Sequence, residues 1–325
     1  MDTKPAATII PAMSPPLAGA PATRGATIPP LVLLCLAAVY IVWSSTYLAL
    51  RYAVESLPPL LSAGARYVVA GAILYAILRA RGAAAPTARQ WWNSIPTGGL
   101  MFLFGNGFVA LAEQRVSSGL AAVACAAMPL FACIISHRFG DRPSPREWAG
   151  VVVGFVGIVL LTFGDLRAAP AMGALLLLAP AGWALGSVLA RRLSLPSGTM
   201  SAATLMMGGG ALTLLVAFAR GERIPHVVPL SGALAILYLV LFGSILTFSA
   251  YTYLLQNTST ALATSYAYVN PVLAVLLGAV IGGERPGRGL IIPGAIVVAG
   301  VAVMATGRGR PVRPARETVV AEREA

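Results

Sequence analysis

Within the apolar run from Gly105 to Leu130, Asn106, Glu113, Gln114 and Arg115 stand in the first half and Pro129 in the second. Asn106 and Glu113 are seven residues apart, so on a helix they share one face. An amide and a carboxylate facing lipid would be costly, so that face should meet a bundle interior or water. Two readings stand for each. They form a polar stripe from a cavity to its mouth, with Glu113 able to carry a coupling proton if buried. Alternatively, Asn106 makes an interhelical hydrogen bond and Glu113 is a solvated helix end paired with Arg115.

Other residues of binding type recur at helical spacing. Trp43 and Tyr47 are one turn apart and either stack on a substrate or pack a helix. Trp183 follows Trp43 by 140 residues. Tyr266 and Asn270 share a face from which Tyr268 points away, and Thr247 and Tyr251 make a similar pair. Arg66 is the basic residue set well inside an apolar run. It binds a substrate carboxylate or anchors neighbouring carbonyls near the outer interface. Pro129 and Pro271 each remove a backbone hydrogen bond; the freed carbonyls of Cys125 and Ala267 either face a cavity or belong to a kink that neighbours satisfy, which at matching places in both halves could also be a hinge. Side chains of these types recognise molecules; none is a nucleophile beside a base.

The rest of the chain adds no reactive constellation. Cys35, Cys125 and Cys133 lie in apolar runs without metal-ligand spacing, and His137 and His226 are far apart in sequence. No metal, cofactor or disulfide is expected. No glycine-rich phosphate loop is present in the sequence, so direct use of ATP is not expected.

The elements that must position these residues are set by composition. Of 325 residues, 58% are hydrophobic and 10% charged, against about 45–50% and about 25% in soluble domains. So little charge cannot cover a water-facing surface, and the solvent is lipid. The net charge of +12 sits between apolar runs and in the C-terminal tail, which favours anionic lipid headgroups at the cytoplasmic face over nucleic acid. Residues 1–29 read as a disordered Ala/Pro/Thr-rich tail and 308–325 as an Arg-rich tail. Between them ten apolar segments reach or approach spanning length: Pro30–Leu50, Leu60–Leu78, Trp91–Ala112, Ser118–Ser136, Trp148–Thr162, Gly173–Ala190, Ser201–Ala219, Ser231–Leu255, Ala261–Ile281 and Gly289–Thr306. With a cytoplasmic N-terminus, fifteen Lys and Arg fall inside and seven outside, so both termini are expected in the cytoplasm.

The chain also resembles itself. Trp43 and Trp183 are each followed eight residues later by an arginine, Arg51 and Arg191. Gln114, Ser117, Leu120, Ala121 and Pro129 match Gln256, Ser259, Leu262, Ala263 and Pro271 at an offset of 142. Two copies of five helices, 30–164 and 165–307, follow. Five being odd, the second copy must insert upside down, an arrangement used by secondary transporters with a site at the midplane. The expected fold is all-α: ten transmembrane helices in two inverted five-helix repeats.

Several stretches then resemble a known family. VWSSTYLALRYAVESLPP, ARYVVAG with Arg66, GNGFVALAEQRVSSGLAA, MPL, and the paired FGDRPSPREWAG and GGERPGRGLIIPG are similar to the EamA-type drug/metabolite transporters, within them a YedA-like branch. The resemblance implies export of amino acids or other small, often amphipathic metabolites through a central cavity. It also implies an acidic residue before the last helix of each repeat, here Asp141 and Glu284, to which we assign a structural role at a helix end.

The sequence therefore points to an exporter in the inner membrane, working by alternating access as a monomer or homodimer. Its cavity residues would be Trp43, Tyr47, Asn106, Trp183, Tyr251, Tyr266 and Asn270. Glu113, Arg66, Pro129 and Pro271 would serve coupling or gating. An integral membrane enzyme acting on lipids needs clustered acids, bases or metal ligands that this sequence does not supply. A non-transporting scaffold would be an occluded bundle without a polar cavity.

Overall fold

The computed structural model describes residues 29–140, 143–163, 170–257, 266–285 and 288–305. The two tails apart from Pro29, Asp141 and the expected start of the ninth segment at Ala261 lie outside them. Every regular element among the described residues is helical, as lipid demands of a backbone that must satisfy its own amides. In chain order they are α1 (Pro30–Val54), α2 (Pro59–Ala80), α3 (Ala88–Glu113), α4 (Ser118–Arg138), α5 (Pro145–Phe163), α6 (Pro170–Ala190), α7 (Thr199–Ala219), α8 (Leu230–Tyr238 continuing to Asn257), α9 (Tyr266–Val280) and α10 (Arg288–Ala305). Seven of these, α1 to α4 and α6 to α8, are long and apolar enough to cross a membrane, and α9 and α10 contain shorter apolar stretches.

Local chemistry sets the ends. Pro30 and Pro59 occupy first turns, where a missing N–H costs nothing. Thr87 and Gln90 form a reciprocal capping box at the start of α3. Ser117 Oγ accepts the Leu120 amide at 3.2 Å and so caps α4. Within α3 and α8 the helix widens into π segments, Gly99–Gly107 and Leu239–Leu246.

Large apolar side chains cover the outside, among them Leu34, Leu215, Leu234 and Ile292. On a water-facing surface that much apolar area would drive association; here it meets lipid. With lipid outside, helices associate through close packing and hydrogen bonds. The most extensive contacts join α2 to α7 and α5 to α10. Gly300 lies so close to the backbones of Gly150 and Gly154 that a side chain at Gly300 would collide with them, and one at Gly154 would collide with Leu130. Ser94 and Thr204 hydroxyls bond at 2.9 Å between α3 and α7.

Contacts at the helix ends fix which ends lie together. At one end of the bundle, Glu222 after α7 accepts the Leu61 amide of α2 at 2.8 Å. Ser56 after α1 touches Gly232 near the start of α8. Glu284 after α9 meets the start of α4. At the other end, Asn93 near the start of α3 donates to the Ser194 carbonyl after α6 at 2.9 Å. There too Arg192 stacks on Phe139 after α4.

Candidate functional site

A cavity of about 790 Å³, open mouth included, lies where α1, α2, α3, α4, α6, α8 and α9 meet. From α1, Trp43 and Tyr47 line it on one helical face, with Thr46 and Leu50 beside them. α9 contributes Tyr266 and Asn270, again one turn apart. α3 supplies Asn106 and α6 supplies Trp183. Six of the seven residues named from sequence as cavity candidates are thus brought together.

Tyr251, the seventh, stands one layer back, its ring 5.2 Å from Trp43 and 5.7 Å from Tyr266. The π segment explains this. Its i→i+5 turns shift the inward face of α8, so Gly243 and Phe248 take the wall positions. The Thr247 hydroxyl donates instead to the Phe242 carbonyl five residues back.

The π segments also seat the two tryptophans. Trp43 Nε1 donates to the Gly243 carbonyl at 3.3 Å. Trp183 packs against Gly105 of the other π segment, where an added Cβ would come within 2.9 Å of its ring. A tryptophan from the first helix of each half therefore contacts a glycine in a π segment of the opposite half, Trp43 by a hydrogen bond to its carbonyl and Trp183 by packing against it. Around Trp43 the rings of Tyr266 at 4.8 Å and Phe248 at 5.5 Å make an aromatic wall. The Ser44 hydroxyl, fully buried, lies 3.2 Å from Asn270 Oδ1, while its shorter hydrogen bond goes to the Tyr40 carbonyl. Asn106 makes no hydrogen bond within the protein among the described residues, which leaves its amide to the cavity.

Arg66 lines the cavity from α2 and is 4% exposed. Its Nε donates to Ser244 Oγ at 3.0 Å, and its guanidinium lies 4.7 Å from the Tyr67 ring centroid. Among the described residues it makes no hydrogen bond to a main-chain carbonyl.

Glu113, about 10 Å further along α3 than Asn106 at 1.5 Å per residue, is not in the cavity wall. It is 3% exposed, and neither carboxyl oxygen has a partner among the described residues. Arg115 is exposed, so a solvated Glu113–Arg115 pair does not form. Pro129 also lies outside the wall. α4 breaks at Ala126 and Ala127 and restarts at Met128, placing Pro129 in a first turn where it costs no hydrogen bond. Cys125 and Met128, on either side of the break, reach the cavity instead. Pro271 stays inside a continuous α9. The matching prolines are therefore a helix break in one half and an internal proline in the other.

Sequence reasoning missed the cluster past one end of the cavity. Arg51 Nη1 donates to Glu284 Oε1 at 2.7 Å. The same carboxylate accepts from Ser118 Oγ at 2.8 Å, the Ser118 amide at 3.0 Å and the Gly119 amide at 3.3 Å. It ties the end of α1 to the start of α4 and to the loop before α10. Burial pushes the Glu284 carboxyl up. The Ser118 amide and hydroxyl, the Gly119 amide and Arg51 outweigh that and hold it below its ordinary value. Glu284 does act at a helix end, but that of α4. Among the described residues no group of three or more His, Cys, Asp or Glu could hold a metal ion.

The chain matches the EamA-like transporter family twice, over residues 30–163 and 171–306. It is 46% identical over 249 residues to the uncharacterized inner membrane transporter YedA of Escherichia coli K12, covering 76% of this chain and 81% of that one. It is 30% identical over 247 residues to the protein PecM of Dickeya dadantii, covering 73% and 80%. A solved crystal structure superposes with a TM-score of 0.60 at 25% identity, covering 84% of this chain and 96% of that one. With two family matches spanning nearly all its helices, the chain belongs to the EamA-like transporter family, in its YedA-like branch.

Proposed function

We propose that this multi-pass inner-membrane transporter exports small metabolites, amino acids or amphipathic compounds, by alternating access through the cavity between its halves. The observation that carries the reading is the cavity itself: a space walled by Trp43, Tyr47, Asn106, Trp183, Tyr266 and Asn270, drawn from both halves of the chain. Aromatic faces hold an apolar body and the amides orient its polar end.

Ten crossings in two inverted repeats, with both termini cytoplasmic, account for several contacts. The start of α2 meets the end of α7, and the start of α3 meets the end of α6. The reciprocal Trp43–Gly243 and Trp183–Gly105 contacts are what two antiparallel copies produce. In this topology the Arg51–Glu284–Ser118 cluster lies on the outer side and latches it. Substrate enters from the cytoplasm, and breaking the latch releases it outward. The break in α4 and the two π segments supply bending points.

Two experiments test this. Impermeant labelling of single cysteines at positions 20 and 160 should place both positions as the topology requires, 20 inside and 160 outside or in the adjoining interface. Proteoliposomes loaded with a panel of radiolabelled amino acids and amphipathic metabolites should show counterflow for at least one compound. Well-folded protein that moves none of them would defeat the transport reading.

A further inference from the structure

Arg66 is a buried cation without a counter-ion. It makes no ion pair among the described residues, and its one hydrogen bond there goes to the neutral Ser244 hydroxyl. Among the described residues that line the cavity, none is acidic and Arg66 alone is charged. Glu113, the nearest intramembrane carboxyl along α3, is not part of that wall. A charge held this deep in a bundle is costly until it is paired. The guanidinium fork matches a carboxylate in two parallel hydrogen bonds.

The surroundings define the rest of the ligand. Trp43, Tyr266 and Phe248 make an apolar, aromatic wall with centroid spacings of 4.8 and 5.5 Å from the Trp43 ring. Trp183 extends it, its ring 6.5 Å from that of Phe248 and 25° off parallel. The uncommitted Asn106 amide offers one further polar contact.

We infer that the cavity takes organic monoanions, carboxylates with an aromatic or apolar body, in preference to zwitterions and cations. This deepens the transport reading and rests on it for the word substrate; the charge preference itself rests on the cavity. A zwitterionic amino acid would bring an ammonium group for which the described wall has no carboxylate. An organic cation would face Arg66 directly.

A matched series isolates the charge. 3-Phenylpropionate, phenylalanine and 2-phenylethylamine share one body and carry a carboxylate, both groups, or an ammonium. Their binding to the purified full chain at pH 7 is read by quenching of tryptophan fluorescence and by calorimetry. Expected is binding of 3-phenylpropionate at least about tenfold tighter than either of the others, the scale of one charge-assisted hydrogen bond. Arg66→Gln should abolish the preference, and Arg66→Lys should retain part of it, a point charge replacing a fork.

Phenylalanine or 2-phenylethylamine binding as tightly as the anion overturns the inference. So does binding of none of the three by protein that unfolds cooperatively, or an unchanged preference in Arg66→Gln. Because the series is run on the wild-type chain, the inference stays exposed even where an Arg66 variant fails to fold. Failure here is separable from failure of transport. Counterflow that favours amino acids over anions keeps the exporter and overturns the charge preference. Anion binding without flux of any compound keeps the charge preference and defeats the exporter.

Discussion

Glu284→Gln should weaken this protein more than Arg51→Gln, although the two residues form one ion pair. The Glu284 side chain is 7% exposed and accepts from four donors on two other segments: Arg51, the Ser118 hydroxyl and the amides of Ser118 and Gly119. Hydrogen bonds to a charged group contribute about 1.5–3 kcal/mol each, and stranding buried partners adds to the loss. Glutamine keeps one acceptor oxygen, turns the other position into a donor and removes the charge, so a net cost of about 2–4 kcal/mol is expected. Arg51 is a third exposed and also reaches Glu55, an exposed pair worth little. Removing it leaves the carboxylate with its three α4 donors, at a cost of about 1 kcal/mol. At about 2 °C per kcal/mol for a chain of this size, thermal unfolding in detergent should fall by about 4–8 °C for Glu284→Gln and about 2 °C for Arg51→Gln. The double variant should lie close to Glu284→Gln, because without the carboxylate Arg51 has no ion pair left to break at that site. An Arg51 variant as damaging as the Glu284 variant, or a Glu284 variant within about 1 °C of wild type, would refute the assignment of the carboxylate as the hub.

Three further outcomes follow from the same geometry. Because the Glu284 carboxyl is held below its ordinary value, its contribution is full above the unfolded value of about 4.3. It is lost as pH falls through the lower folded value. The stability gap between wild type and Glu284→Gln should therefore be flat from about pH 5 to 8 and close only below about pH 4, as thermal unfolding across that range will report. Gly105→Val puts a branched side chain where even a Cβ comes within 2.9 Å of the Trp183 ring; overpacking of this kind costs about 1–3 kcal/mol, and both Tm and tryptophan emission should shift, whereas an unperturbed spectrum would count against the packing of Trp183 on this glycine. Glu113→Gln should leave thermal stability unchanged or raise it, since neither carboxyl oxygen has a partner to lose among the described residues; a loss above about 1 kcal/mol, the worth of a single hydrogen bond, would show that the carboxyl is bonded after all.

The helical course of the chain was legible because apolar runs of spanning length leave few alternatives. So was much of the cavity wall. Trp43 with Tyr47, and Tyr266 with Asn270, are polar or aromatic residues at helical spacing within oily sequence, and such residues turn inward. Tyr67, Phe248, Cys125 and Met128 carried no such signal, since their types are at home anywhere in a bundle. The π segments were hidden for a related reason. Gly99–Gly107 and Leu239–Leu246 mix apolar residues with glycines and one polar side chain each, Asn106 and Ser244, a composition that α-helical spans share, so nothing in it marks the widening. The break at Pro129 was not legible because a proline inside a long apolar run gives no sign that the helix restarts one residue before it. Glu284 could be assigned a role at a helix end, but that the end is the start of α4 was not legible. Its partners lie 166 and 233 residues away, a separation at which spacing says nothing.

Alternating exposure of the cavity is tested most directly by a cysteine placed at Asn106 in a chain whose Cys35, Cys125 and Cys133 are replaced by alanine. In vesicles of known orientation, an impermeant thiol reagent is applied from one side at a time, with and without Glu284→Gln. Alternating access predicts reaction from the cytoplasmic side in the latched protein and a clear gain of reaction from the outer side once the latch is removed. Reaction confined to a single side in both proteins would contradict it.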